Sequence, residues 1–179
     1  MKHTTTVALM LSLGVASLHA QQRPVKMMFS GTGGSSAVHL KYPNTTDSEL
    51  NFAGFGTLGA FTFRHVQAIK ASPEPSSTCS GPTKLYFSYV AGAGAFHFLD
   101  GSLLKVRLTQ GSDCIDLAAM QAHCTMTFQI TGGTGRFQKA SGNLTLTETA
   151  LPLLADATNN VVLVTATGEF TGTISGVWP

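Results

Sequence analysis

The run Ile130-Thr131-Gly132-Gly133-Thr134-Gly135-Arg136-Phe137, followed by Ala140-Ser141-Gly142 and the alternating stretch from Asn143 to Thr149, decides the fold. Two adjacent glycines and a third two residues on suit a tight corner where the backbone needs positive φ or a close approach. Each flank alternates apolar with polar residues. Met126, Phe128 and Ile130 oppose Thr125, Thr127, Gln129 and Thr131 before the corner, and Leu144 and Leu146 oppose Asn143, Thr145 and Thr147 after it. A period of two on both sides of a glycine turn predicts two antiparallel strands, each with one buried face.

The same period extends outward. Leu104, Val106 and Leu108 alternate with Lys105, Arg107 and Thr109. The last element keeps one parity through Val162, Val164, Ala166, Gly168, Phe170, Gly172 and Ile174. Internal glycines on the inward face of a long strand suit a curved, closing sheet, and closure removes the exposed edges of an all-β protein. Upstream, Leu85, Phe87 and Tyr89 form one short face, Phe96 and Phe98 another, and Phe61 with Phe63 a third. Val25 to Ser30 and Ala37 to Leu40 add strands around Gly31-Thr32-Gly33-Gly34. The expected fold is all-β: a closed antiparallel barrel of about eight strands, whose interior is either filled by side chains or holds one small ligand. Only Cys114 to Ala122 has helical spacing, amounting to a turn or two.

The strand, the Gly-Gly-Thr-Gly corner with Phe137, the Ala140-Ser141-Gly142 and the following strand, together with the terminal Gly168-Glu169-Phe170-Thr171-Gly172-Thr173-Ile174-Ser175-Gly176, resemble the allene oxide cyclase and dirigent barrel superfamily. The chain resembles small secreted bacterial members of it, over Ala122 to Gly176. The resemblance implies a barrel around a hydrophobic pocket, which in plant relatives cyclises an unstable epoxide or orients the coupling of phenol radicals. Only the structural residues Gly132, Gly133, Gly135 and Gly142 match. The plant catalytic residues do not carry over, and no catalytic residue is assigned.

Lys2 and His3 precede an apolar run from Val7 to Ala16, half of the roughly 20 residues a spanning helix needs, and Ser17-Leu18-His19-Ala20 offers a small residue for cleavage. Residues 1–20 are read as a signal peptide and 21–179 as one barrel domain, secreted or periplasmic, without a membrane span. The formal charge of +2 falls to +1 once Lys2 leaves with the leader, and the basic residues are scattered, which argues against nucleic acid as a partner. Asn44-Thr45-Thr46 and Asn143-Leu144-Thr145 match glycosylation acceptors. Both are expected to be unmodified in a bacterial protein. In an oxidising compartment Cys79, Cys114 and Cys124 leave one cysteine over. The expected bond is Cys114 with Cys124, stapling the loop between the turn Gln110 to Asp113 and the next strand, at about 2 to 3 kcal/mol. Cys79, in a Ser- and Pro-rich loop, is then a free thiol, and its pairing with either other cysteine is the alternative.

Candidate chemistry is sparse. Gly133-Thr134-Gly135 lacks the third glycine of a dinucleotide loop and no Gly-Lys-Ser/Thr follows, so it reads as a turn. His39, His65, His97 and His123 are isolated, no metal-ligand pair is visible, and neither metal nor cofactor is expected. His97, between Phe96 and Phe98, points outward. Asp100, Asp113 and Asp116 sit at turn-like places where Asp caps the backbone. The aromatics Phe61, Phe63, Phe87, Tyr89, Phe96 and Phe98 line a cavity for an apolar ligand or pack a solid core. Tyr89 and Arg136 are the polar groups to inspect, with pairing to a carboxylate the other role for Arg136. The leading expectation is an exported barrel that binds a small apolar molecule. A cofactor-free cyclase or isomerase is its rival, favoured by two or more ionisable groups turned into an open cavity, and a structural extracellular protein is the third reading.

Overall fold

The computed structural model describes residues 22–158 and 160–178, so the expected signal peptide, residues 1–20, lies outside the described residues. Eight strands follow one another: β1 (Arg23–Ser35), β2 (Thr45–Gly56), β3 (Phe61–Lys70), β4 (Lys84–Phe98), β5 (Leu103–Asp116), β6 (Gln121–Gly133), β7 (Ser141–Ala155) and β8 (Val161–Ser175). Each pairs antiparallel with the next, and β8 pairs with β1 to close the barrel. A single 3-10 turn, Gly135–Phe137, is the one helical element among the described residues.

The alternating residues decide which face is buried. Leu104, Val106 and Leu108 on β5, Met126, Phe128 and Ile130 on β6, Leu144 and Leu146 on β7, and Ala166, Phe170 and Ile174 on β8 all point into the barrel. The glycine corner joins β6 to β7 at one end. There Gly132 (φ 109°), Gly135 (φ 56°) and Gly142 (φ 137°) hold backbone angles that side-chain-bearing residues avoid.

Several upstream readings change. The short faces at Leu85 to Tyr89 and Phe96 to Phe98 belong to one strand, β4. In the pairing of β3 with β4, Ala68 faces Ala91 and Ile69 faces Tyr89, so Val90 is an extra residue. That β-bulge switches the inward parity from odd to even, which made one strand read as two. β1 runs straight through Gly31 to Gly34, Ala37 to Leu40 form no strand, and β2 carries Leu50 and Phe52 inward instead.

The segment from Cys114 to Ala122 is not helical. It is the end of β5, a turn and the start of β6, with Asp116 accepting backbone hydrogen bonds from Ala118 (3.0 Å) and Ala119 (3.2 Å). Gln110 to Asp113 is likewise no turn but part of β5. There Leu108 faces Phe128 and Gln110 faces Thr127, leaving Thr109 as a second bulge.

The disulfide joins Cys79 to Cys114, and Cys124 is free and buried. The expected Cys114–Cys124 bond fails because Cys124 pairs with Asp113, one residue along, so the two cysteines point to opposite faces of the sheet. Cys114, facing outward, anchors the loop between β3 and β4 in place of the β5–β6 connection.

One half of the barrel is solid. Phe29 stacks on Phe52 at 4.4 Å, Phe63 lies 4.4 Å from Phe96, and Phe170 meets Phe96 edge-on at 4.8 Å. Each buried ring contributes about 1.5 to 3 kcal/mol through the water it sheds.

Candidate functional site

The other half opens as a cup of about 480 Å³, within the range of small-molecule sites, at the end of the barrel opposite the glycine corner. Its wall is apolar, with Leu50, Ile69, Phe87, Ile115, Ala150 and Val164 among the lining residues. Its floor carries Tyr89, Asp113, Cys124, Glu148 and Gln67.

The strand register lines these groups up. Phe87 on β4 pairs with Asp113 on β5, Asp113 with Cys124 on β6, and Cys124 with Glu148 on β7. At about 4.8 Å per strand step, the two acids sit roughly 10 Å apart at the backbone and flank the thiol. Asp113 points inward because the bulge at Thr109 moves β5 from even to odd inward parity, and the bulge at Val90 sets Phe87 and Tyr89 on odd inward parity against the even parity of Phe96 and Phe98. Two adjacent bulges thus turn one aspartate and one tyrosine into the cup. Tyr89 fits there because Gly111 faces it: a Cβ on Gly111 would stand 2.5 Å from the tyrosine ring.

Electrostatics follow from the burial. Loss of water raises the Glu148 carboxyl to about 8, with the charge of Asp113 adding to the rise. Burial raises Asp113 too, against the opposing pull of the Cys124 thiol and Tyr89 hydroxyl. Cys124 is pushed well above its ordinary value, first by burial and then by the two acids, so it stays a thiol and is no nucleophile at neutral pH. Tyr89 is raised for the same reasons and remains a phenol. Asp113 Oδ1, Glu148 Oε2 and Gln67 Oε1 are buried without a hydrogen-bond partner. Beneath them His65 stacks on Phe63 at 5.9 Å and meets Phe128 edge-on at 5.1 Å, and burial lowers it to about 3, so it is neutral.

The aromatic set expected to line a cavity divides. Phe87 and Tyr89 line the cup, whereas Phe61, Phe63, Phe96 and Phe98 fill the solid half. Arg136 is at the closed end and takes no part in the cup. It donates to the Leu58 carbonyl oxygen at 2.6 Å and stands 2.9 Å from Asp100, an ion pair by distance though not by hydrogen-bond angle. It also lies over the rings of Phe98 (4.9 Å) and Phe137 (4.6 Å). Asp100 and Asp116 cap turns as read, but Asp113 does not. His97 is exposed, His39 stands beside Asp47 (3.5 Å) on the outside, and His123 contacts Gln121 and Thr149. Among the described residues no three His, Cys, Asp or Glu side chains converge to hold a metal ion, and no helix is long and apolar enough to cross a membrane.

Glu148 had been legible only as a polar residue on the inward parity of Leu144 and Leu146, a break in the pattern that marks a site. Asp113 carried no such mark. No protein-family model matches the chain, and no curated protein is significantly similar to it.

Proposed function

We propose that this barrel is an exported protein that binds one small, mostly apolar molecule end-on in the cup. The apolar body lies against the wall and a polar group rests on the floor. The observation that carries this reading is the asymmetry of the interior: aromatic rings pack one half solid, while the other half keeps an open apolar cup whose floor has unpartnered buried oxygens. A scaffold has no use for such groups, since each costs about 1 to 3 kcal/mol when left without a partner. The disulfide fits an oxidising compartment, and the resemblance to barrels that surround hydrophobic pockets supports the same reading.

The neutral dye Nile red tests it. The wild-type protein is expected to take up one dye per barrel with enhanced, blue-shifted emission, and Ala122→Phe, which fills the cup, is expected to abolish uptake. Emission unchanged by the protein, together with no retained molecule in native mass spectrometry of protein purified from its own host, refutes binding.

A second reading, a cofactor-free isomerase or cyclase, is favoured by Glu148. An acid held protonated to about 8 beside a second inward carboxyl supplies a proton donor and an acceptor in one site. Catalysed entry of solvent deuterium into a molecule retained from the host, lost in Glu148→Gln, is the outcome that distinguishes catalysis from binding alone.

A further inference from the structure

The three unpartnered atoms on the floor of the cup are all oxygens: Asp113 Oδ1, Glu148 Oε2 and Gln67 Oε1. Glu148 is 5% and Gln67 2% exposed, and both line the cup. Acceptor atoms need donors, and the surroundings supply few. Tyr89 and Cys124 carry one hydrogen each and lie beside Asp113. His65, beneath the floor on β3, is neutral and can give its one N–H only to its strand neighbour Gln67. Asp47, Lys70 and Asp116 line the cup at its mouth, and the ion pairs among the described residues join Lys26 to Glu169, His39 to Asp47, Arg64 to Glu49 and Arg136 to Asp100. Neither Asp113 nor Glu148 is in any of them.

Two buried carboxyls with no cation paired to them are costly as anions, and protonation is one remedy. A ligand cation is the other. A bare metal ion does not suit, because the acids flank Cys124 across three strands and no three ligating side chains converge. A donor group carried on an apolar body reaches the floor and fills the wall together.

We propose that the molecule taken by the cup is a small hydrophobic amine, bound as its ammonium ion, whose N–H groups donate to Asp113, Glu148 and Gln67. This rests on the cup being a ligand site, and it adds the chemical class. Tyr89 and Cys124, both uncharged, then donate to the carboxylate oxygens the ammonium does not reach. Binding draws Glu148 into its anionic form, so near neutral pH most of one proton leaves the protein as the amine enters.

Calorimetric titration with three probes of one shape tests the class: 2-phenylethylamine, 2-phenylethanol and phenylacetate. At pH 7.5 the amine is expected to bind at least tenfold more tightly than the alcohol, with phenylacetate weakest. Titrations in phosphate and in Tris are expected to differ in heat by an amount that reports proton release. Glu148→Gln is expected to remove that release and to shrink the amine's advantage severalfold. Equal affinity for amine and alcohol, or amine binding with no proton release, overturns the amine assignment and leaves the cup as a site for neutral molecules. Failure of all three probes and of Nile red overturns both. Lys70→Ala, at the mouth, is a second variant that removes the one lysine lining the cup: the amine preference is expected to survive it, and its loss also refutes the assignment.

Discussion

Replacing Glu148 with Gln keeps the shape of the side chain and removes its titration. In the folded protein Glu148 holds its proton up to about 8, against 4.5 for an ordinary glutamate. A group whose pKa is raised by folding contributes stability that is complete below 4.5 and is lost as pH rises through 8, because the unfolded chain sheds the proton earlier. At 1.36 kcal/mol per unit, the loss between pH 5 and pH 9 is about 4 kcal/mol. His65 acts with the opposite sign. Its value falls to about 3 on burial, so its contribution is present above 6.5 and is lost as pH drops toward 3. Between 4.5 and 6.5 the two slopes cancel. Asp113, also raised by burial, adds a decline with pH, so the wild-type profile is expected to slope downward there and to fall further above 6.5. Urea denaturation at pH 5, 7 and 9 checks it: Glu148→Gln is expected to overtake the wild type progressively, by about 4 kcal/mol relative to the difference at pH 5. Parallel profiles, with a change of less than about 1 kcal/mol, refute the burial of an unpaired carboxyl at this site.

Reduction of Cys79–Cys114, which closes a 35-residue separation, is expected to cost about 4 kcal/mol in denaturation, and thiol labelling of the native oxidised protein should find Cys124 protected until unfolding. Labelling of Cys79 in the native state contradicts the pairing. Arg136→Ala removes the Leu58 hydrogen bond and the two ring contacts at the closed end, and is expected to lower stability by about 2 kcal/mol with Nile red binding unchanged. Gly142→Ala places a Cβ 2.1 Å from the Thr173 carbonyl oxygen at φ 137°, and a loss above about 2 kcal/mol in urea denaturation is expected. A neutral effect there would mean that the β7–β8 register is looser than described.

Strand identity and inward parity in the C-terminal half were readable directly, because residues such as Leu104, Met126, Leu144 and Phe170 repeat every second position, and a half-buried strand needs nothing more. The glycine corner was readable because positive φ leaves few alternatives to Gly. The cup was not. Asp113 and Tyr89 enter it through the bulges at Thr109 and Val90, and a bulge is a relation between two strands, with no periodicity of its own in either. The disulfide partner was hidden likewise, since the same shift sent Cys114 outward while Cys124 stayed inside. Local alternation determined that this chain curls into a closed barrel. Pairing between strands far apart in sequence decided which side chains meet inside it, because only neighbours across the sheet fix register and only the barrel's closure removes water from the acids they bring together.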